Sequence, residues 1–302
     1  MLTSVVLPTY NGERFVSSAV QSVLVQDYPE LELIAVDDGS TDSTRDILHR
    51  FSDPRIRVVE RANGGVAAAR NTGIEHATGA AVAFIDQDDE WLPGKLSAQL
   101  AELRRDGRVM VGCRLRYVNA DGRPLGVSGE PTEGRGGDIA AAAFVPFPLT
   151  AAVAWTDEIR AVGGFDEGLV QAVAPVDDLD LMSRLAARGD IVTLPDILGH
   201  YRIHGESGTV EKFFAMQTGT EFLKARARAR AAGSDLSWEA FAASYRRSLG
   251  RRRAEYARYF YRTGGLAIAG GRRLAGAGYL AAAATLGPKY TARRLRRQRA
   301  RV

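Results

Sequence analysis

Apolar residues come in short runs along the first two hundred positions, each followed by a cluster of Gly, Asn, Asp, Ser or Pro and then by a stretch with helical spacing. Residues 4–7 read as a β-branched strand that ends near Pro8. The loop Thr9-Tyr10-Asn11-Gly12 then enters a helix with Phe15, Val16, Ala19, Val20, Val23 and Leu24 on one face. Residues 31–36 form a second strand that delivers Asp37-Asp38-Gly39-Ser40, and residues 41–51 a second helix with Ser40 or Asp42 as its N-cap. Residues 56–59 are a third strand, and Asn63-Gly64-Gly65 opens a helix carrying Arg70 and Asn71. In residues 80–91, AAVAFIDQDDEW, six small or apolar residues run into Asp86, Asp88 and Asp89, as a buried strand does when its carboxyl end meets a loop. Repeated strand–helix units imply a parallel sheet with right-handed crossovers. Their loops converge on one edge, where ligands bind in open α/β sheets, so Thr9, Tyr10, Asp38, Asp86 and Asp88 are expected to meet there.

The pattern loosens further on. A helix through Leu103 follows Pro93-Gly94, then a strand at 109–118 and a turn at Asn119-Ala120-Asp121-Gly122. Residues 126–137 are glycine-rich with little apolar content and read as a mobile loop. Residues 150–155 are another strand, and Gly163-Gly164-Phe165-Asp166-Glu167 a glycine turn. Pro175-Val176-Asp177-Asp178 introduces a helix with an apolar stripe of Leu181, Met182, Leu185 and Ala186. Residues 190–194 and 197–203 read as closing strands, and 204–209 end the body. From 210 onward strand signals vanish, leaving three or four Ala/Arg-rich helices broken near Gly233, Gly264-Gly265, Gly270-Gly271 and Pro288. The expected division is a body over 1–210, with its first part to about residue 92 and its second from about 93 to 210, followed by a helical extension over 211–302.

Charge sharpens that division. Residues 1–210 carry 19 Lys+Arg against 31 Asp+Glu, and residues 211–302 carry 21 against 5, which leaves −12 and +16. The extension is therefore expected to face something anionic. The reading preferred is peripheral docking on an anionic membrane. Nucleic acid would explain the charge but nothing else in the chain and is not expected; pairing of the helices into a homo-oligomer is the plain alternative. No apolar run is long enough to span a bilayer, the nearest, 264–286, being broken by Arg272 and Arg273. The opening MLTSVVLPTY lacks a basic n-region and reads as a strand rather than a signal peptide. The single cysteine, Cys113, excludes a disulfide framework and a cysteine-rich zinc site, and reads as a small buried hydrophobe in a chain of a reducing compartment. The expected location is cytoplasmic, with the extension at the cytoplasmic membrane face.

The chemistry lies in the acids. Asp86 and Asp88, at i and i+2 on an extended turn, can share one Mg²⁺ or Mn²⁺ ion with phosphate oxygens and water; an isolated pair of this kind is as readily a solvated turn. The loop after the first strand has neither GxGxxG nor GxxxxGK[ST], so no dinucleotide fingerprint or P-loop is present. A nucleotidyltransferase making activated sugars would need a glycine-rich basic loop there, which PTYNGERF does not supply.

Five motifs in fixed order, VVLPTYNGERF with VDDGSTDST, GGVAAARNTG with FIDQDDEW, GGFDEGL, VDDLDLMSRL and YRIHGESGT, resemble the inverting nucleotide-sugar glycosyltransferases of family 2. The resemblance covers about residues 3–210. It implies a GT-A fold: a mostly parallel central sheet flanked by helices, here with an all-α basic extension. It also implies a nucleoside-diphosphate-sugar donor, most plausibly a UDP-sugar, a Mn²⁺ or Mg²⁺ cofactor, and a saccharide or lipid-linked acceptor in polysaccharide or glycoconjugate biosynthesis. In that family's pattern Pro8, Thr9, Tyr10, Asp37, Asp38, Arg70 and Asp86 bind the nucleotide. Asp88, with Asp86 and His204, holds the metal. Asp178 is the catalytic base, and Asp166, Gly164, Asp177, Asp89 and Arg202 lie on the acceptor side, Arg202 also within reach of phosphate. Asp177 stands where glutamate is usual and Leu179 where tryptophan is common, which bears on the platform for an acceptor sugar. The same resemblance would hold for a catalytically silent nucleotide-sugar-binding protein, since fold alone does not assign activity.

Overall fold

The computed structural model describes residues 1–128, 132–134, 147–172, 176–204, 212–269 and 271–299. A single mixed sheet organises the body, with strand order β3-β2-β1-β4-β9-β6-β10-β5. Its strands are β1 (Thr3–Thr9), β2 (Leu31–Asp37), β3 (Ile56–Glu60), β4 (Ala81–Phe84), β5 (Glu90–Trp91), β6 (Arg108–Val118), β9 (Val153–Trp155) and β10 (Asp190–Arg202). Two short strands, β7 (Pro124–Val127) and β8 (Thr132–Gly134), pair with β6 and β10. β1 to β4 are parallel, as the strand–helix alternation implies. β9 then runs antiparallel to both β4 and β6, and β10 returns parallel to β6.

The period of two in the buried strands decides which helix covers which face. Val6, Ile34, Val36, Val82 and Phe84 point to one side, where α3 (Val66–His76) packs through Ala67, Ala69 and Ile74. Val5, Leu7, Leu33, Ala35, Ala83 and Ile85 point to the other, against α1 (Val16–Leu24) and α4 (Lys95–Leu103). Because both faces are covered, these strands are continuous apolar runs rather than alternating ones.

Several boundaries differ from the sequence reading. α2 is shorter, Thr44–His49, and Asp42 caps the turn ahead of it: its Oδ1 accepts from the Thr44 amide at 3.0 Å. Residues 149–151 form a 3-10 turn before β9, so the strand expected from 150 is only its last part. The two closing strands are one bulged strand, β10, whose register against β6 shifts around Pro195, a residue with no amide proton to give the ladder. The glycine-rich segment 126–137 contains the end of β7 and all of β8; its residues 129–131 and 135–137 lie outside the described residues, as do 205–209 of the motif ending the body.

Three helices follow β9 in the second half of the body: α5 (Thr156–Ala161), α6 (Glu167–Ala172) and α7 (Asp177–Ala186). The extension follows as α8 (Phe213–Ala231), α9 (Trp238–Ser244), α10 (Leu249–Ala269), α11 (Arg273–Leu286) and α12 (Pro288–Arg299). The glycine pair 264–265 does not break α10. A Cβ on Gly264 would sit 3.0 Å from the Gly276 carbonyl oxygen and one on Gly276 would sit 2.4 Å from Ile268, so these glycines let α10 and α11 approach closely. The extension is joined to the body by a shared apolar cluster: Leu169 and Val176 pack with Phe222, Leu223 and Phe241, and Leu179, Trp238 and Tyr245 lie against it.

Candidate active site

The ends of β1 and β2 lie in register, Thr9 opposite Asp37, and the Asp38 amide donates to the Thr9 carbonyl at 2.8 Å. The Asp38 carboxylate is buried and accepts from the Gly64 and Gly65 amides at 3.0 and 2.8 Å, with the Arg61 guanidinium paired to it. Asp37 is buried beside it. One of its oxygens receives the Ser40 amide at 3.3 Å, and the other has no hydrogen-bond partner. Thr9 Oγ1 donates to the Val36 carbonyl, which leaves its lone pairs free to accept. Tyr10 exposes its ring, while its backbone is tied on both sides to the Gln87 amide group, at 2.8 and 3.0 Å. Gln87 thereby fastens the first loop to the acidic turn. Sequence reasoning passed over it as the spacer between Asp86 and Asp88, and a pairing across 77 residues leaves no local signal. Pro8 sits within β1 opposite Val36.

Arg70 joins the acidic turn to the start of α7. Its Nη1 donates to Asp177 Oδ2 at 2.7 Å and its Nη2 to Asp86 Oδ1 at 2.9 Å, with the guanidinium 5.4 Å from the Phe165 ring centroid. Burial opposes its charge, but the fields of Asp86, Asp177 and Asp178 outweigh that and hold it protonated. The carboxyls respond in the other direction. Burial pushes Asp86 above the usual carboxylate range, Arg70 opposes the shift and Asp88 adds to it. Asp178, in the first turn of α7, is pushed up to about 7 by burial and by the neighbouring Asp177, against the pull of Arg70. Its Oδ1 accepts from the Leu179 amide at 2.7 Å. A carboxylate titrating near neutrality is matched to general-base work.

Asp88 and His204 meet on the other side of the turn, with Asp88 Oδ2 2.9 Å from His204 Nε2 and the imidazole 5.0 Å from the Phe15 ring. Both retain exposed surface, as does Asp86. Carboxylate oxygen with an imidazole nitrogen suits Mn²⁺, and carboxylate alone suits Mg²⁺. Among the described residues no three His, Cys, Asp or Glu side chains form a cage. Asp86, Asp88 and His204 could supply only part of an ion's shell, and phosphate oxygens and water would have to supply the rest.

Three expected acceptor contacts are placed elsewhere. Asp177 is buried in its pair with Arg70. Asp89 is buried and accepts from the Arg202 amide at 2.8 Å. The Arg202 guanidinium donates to the Asp88, Asn119 and Ala120 carbonyls and pairs with Glu90 at 2.6 Å, so it clasps the acidic turn to β10 rather than reaching phosphate. Arg70, expected beside the nucleotide, likewise donates to carboxylates of the protein, Asp86 and Asp177. Asp166 stays partly exposed. It accepts from the Leu169 amide at the start of α6 and lies 3.5 Å from Arg226 of the extension. Gly164 has a φ of 65°, and a Cβ there would stand 2.7 Å from Asn71 Oδ1. Asn71 needs that space: it bonds both the amide and the carbonyl of Phe165, at 2.8 and 2.9 Å, and so pins the acceptor turn to α3. Asn71 was read only as a helix residue next to Arg70.

The fold, a mixed sheet with an acidic turn at the end of β4 and a raised carboxyl at the start of α7, matches glycosyltransferases of the GT-A type, as comparison with known proteins shows. Residues 4–148 match the family described as Glycosyl transferase family 2. An uncharacterised glycosyltransferase of Nostoc sp. is 30% identical over 244 residues, 73% of this chain and 73% of that protein. The UDP-Glc:alpha-D-GlcNAc-diphosphoundecaprenol beta-1,3-glucosyltransferase WfgD of Escherichia coli is 40% identical over 106 residues, 35% of this chain but only 42% of its own length. Among solved structures, the mannosyltransferase PcManGT of Pyrobaculum calidifontis, in complex with GDP-Man and Mn²⁺, superposes with a TM-score of 0.57 at 22% identity, over 99% of this chain and 79% of that one. The chain belongs to glycosyltransferase family 2 and is an enzyme of that class.

Proposed function

We propose that this enzyme transfers one sugar, with inversion, from a nucleoside-diphosphate sugar to a hydroxyl of a saccharide or lipid-linked acceptor, in polysaccharide or glycoconjugate synthesis. The observation that carries the proposal is Asp178: a carboxyl pushed up to about 7, at the head of α7, beside the Arg70-linked Asp86 of the acidic turn. Tyr10, exposed at the end of β1, with Thr9, Asp37 and Asp38 beneath it, would form the nucleoside side of the site, where the Asp37 oxygen that has no partner can accept from a base N–H or a ribose hydroxyl. Asp88 and His204, with Asp86, would hold a divalent cation, which when bound neutralises charge growing on the leaving diphosphate. Asp178 takes the proton of the acceptor hydroxyl. The freed oxygen pair forms the new bond to the anomeric carbon while the bond to the diphosphate oxygen breaks, so the nucleoside diphosphate leaves from the opposite face. Arg70 pairs with Asp86 and Asp177, and its charge offsets part of the burial and negative field that hold the proton on Asp178. A UDP-sugar is the favoured donor, since the relative WfgD is named for UDP-Glc and this chain carries the same family's nucleoside-side motif.

The test is a panel of UDP-, GDP- and dTDP-sugars incubated with the full chain, Mn²⁺ and a mixed acceptor pool, reading release of the nucleoside diphosphate. Turnover of one donor that is lost in Asp178→Asn supports the proposal. Binding of a donor with no turnover under any acceptor would replace it with a silent nucleotide-sugar-binding protein.

The extension would dock the enzyme on an anionic membrane surface. Among the described residues no helix is long and apolar enough to cross a membrane. Leu249 and Leu274 are nonetheless 79% and 91% exposed on helices rich in arginine, and Leu295 stands exposed between Arg294 and Arg296. Basic residues near an anionic surface contribute about 1 kcal/mol each, and apolar side chains can enter the headgroup layer. Co-sedimentation with phosphatidylglycerol vesicles is expected at low salt, with little at high salt and little on phosphatidylcholine; Leu274→Glu should weaken it. Equal pelleting on both lipids, or none on either, overturns this. Point variants are preferable to cutting the chain at residue 210, because the cut would uncover Leu169, Val176 and Leu179.

A further inference from the structure

The extension holds a cleft of about 610 Å³ between the start of α8 and the α9–α10 connection. Its chemistry combines aromatic and basic side chains. Phe214, Tyr245 and Tyr256 supply aromatic walls, and Arg246, Arg247 and Arg252 supply guanidinium groups. One carboxylate, Glu255, is buried at its edge and is already engaged by Arg247 at 3.4 Å and Arg251 at 3.9 Å. Among the described residues no carboxylate pairs with Arg246 or Arg252, which are both exposed. The Tyr245 hydroxyl is buried and has no hydrogen-bond partner. A buried hydroxyl without a partner is unfavourable unless something it can bond arrives.

Position gives the cleft its meaning. Tyr245 packs against the same apolar cluster as Leu179, the residue after Asp178, and Phe214 opens the helix whose Phe222 belongs to that cluster. Leu179 itself packs against that cluster, beside rings supplied by the extension. Guanidinium groups bind phosphate oxygens in bidentate fashion, and aromatic faces take sugar rings or alkenyl chains.

We infer that the arginine–aromatic cleft formed by Tyr245, Arg246, Arg252 and Tyr256 binds the phosphate or diphosphate group of the acceptor. The inference rests on the transferase reading for calling the ligand an acceptor. It extends that reading by making the extension part of the substrate site and by specifying an acceptor that carries phosphate. Such an acceptor is either a lipid diphosphate or a soluble sugar phosphate, and the two differ only in what is attached to the shared anion.

Calorimetry on the full chain with EDTA present, so that no divalent ion serves the donor site, tests this with farnesyl diphosphate and N-acetylglucosamine 1-phosphate as probes. At least one probe should bind, and the double substitution Arg246→Gln with Arg252→Gln should weaken it tenfold or more. Asp88→Asn should leave it unchanged. Tighter binding of farnesyl diphosphate assigns the lipid source, and tighter binding of the sugar phosphate assigns the soluble one. Absence of binding by both probes, insensitivity to the double substitution, or loss in Asp88→Asn overturns the inference. Donor turnover measured on the same samples separates the two claims. Turnover without probe binding removes only the cleft, whereas probe binding without turnover of any donor removes the acceptor assignment together with the transferase reading.

Discussion

Asp178→Asn is expected to lower kcat for sugar transfer by about a hundred- to ten-thousand-fold while leaving donor affinity within about twofold. The asparagine keeps the size of the side chain and its acceptor oxygen for the Leu179 amide, but cannot take a proton. The wild-type rate should rise with pH through a midpoint near 7, because only the ionised carboxyl is competent and its titration is pushed up to about 7. The same shift makes a stability prediction of determinate sign. Between about pH 4 and 7 the folded protein holds a proton on Asp178 that the unfolded chain has released. Stability from this group is therefore complete below pH 4 and is lost as pH rises through 7. Asparagine is neutral throughout, so the variant should melt above the wild type at pH 8, by something on the order of 1 kcal/mol, and close to it at pH 4. An enzyme whose catalytic residue destabilises its fold at working pH is the expected trade. Transfer retained by the variant would show that another group takes the proton, and a melting difference independent of pH would show that the carboxyl is not buried as described.

What the sequence disclosed and what it hid follow from how far each signal travels along the chain. The strands buried on both faces, β1, β2 and β4, were visible as apolar runs, and the acids at their ends as the residues that break those runs. Because a parallel sheet puts all such ends on one edge, the meeting of Thr9, Asp38, Asp86 and Asp88 could be deduced without any contact being known. The second half resisted for the opposite reason. β9 has three residues and β5 two, too few to show a period, and β10 bends around Pro195, so one strand read as two. The extension's aromatic spacing was legible as a packing face, but what it packs against was not: Phe222 and Phe241 meet Leu169 and Val176 across long stretches of chain. Asp177, Asp89, Arg202 and Arg70 are all engaged by partners within the protein, which their motif positions do not announce. Motifs locate a residue on the chain, whereas burial decides whether a charged group can reach a ligand, and a nearly enclosed carboxylate or guanidinium must be met by the protein itself.

Arg70 brings that distinction to a measurement. If it served the nucleotide, its loss would raise the donor KM and little else. Its two bonds instead run to Asp86 and Asp177, and it lowers the titration of Asp178 from a short distance. Arg70→Met should therefore leave two carboxylates uncompensated in a largely buried site. Breaking a buried pair in this way costs about 3–5 kcal/mol, a fall in Tm of roughly 10 °C for a chain of this size. With the positive charge gone, Asp178 is more strongly protonated, so the rising limb of the pH–rate profile should move to higher pH and kcat at pH 7 should fall by about a hundredfold or more. Raising the pH should recover part of the rate, which a lost nucleotide contact would not allow. Arg70→Lys keeps the charge but cannot span both acids, so it should restore the position of the limb more fully than the melting temperature. A limb that stays in place in Arg70→Met while the donor KM rises would return the residue to the nucleotide. In that case α3 would be joined to the second half of the body through Asn71, which holds both backbone groups of Phe165, and Asn71→Ala would then show the larger loss.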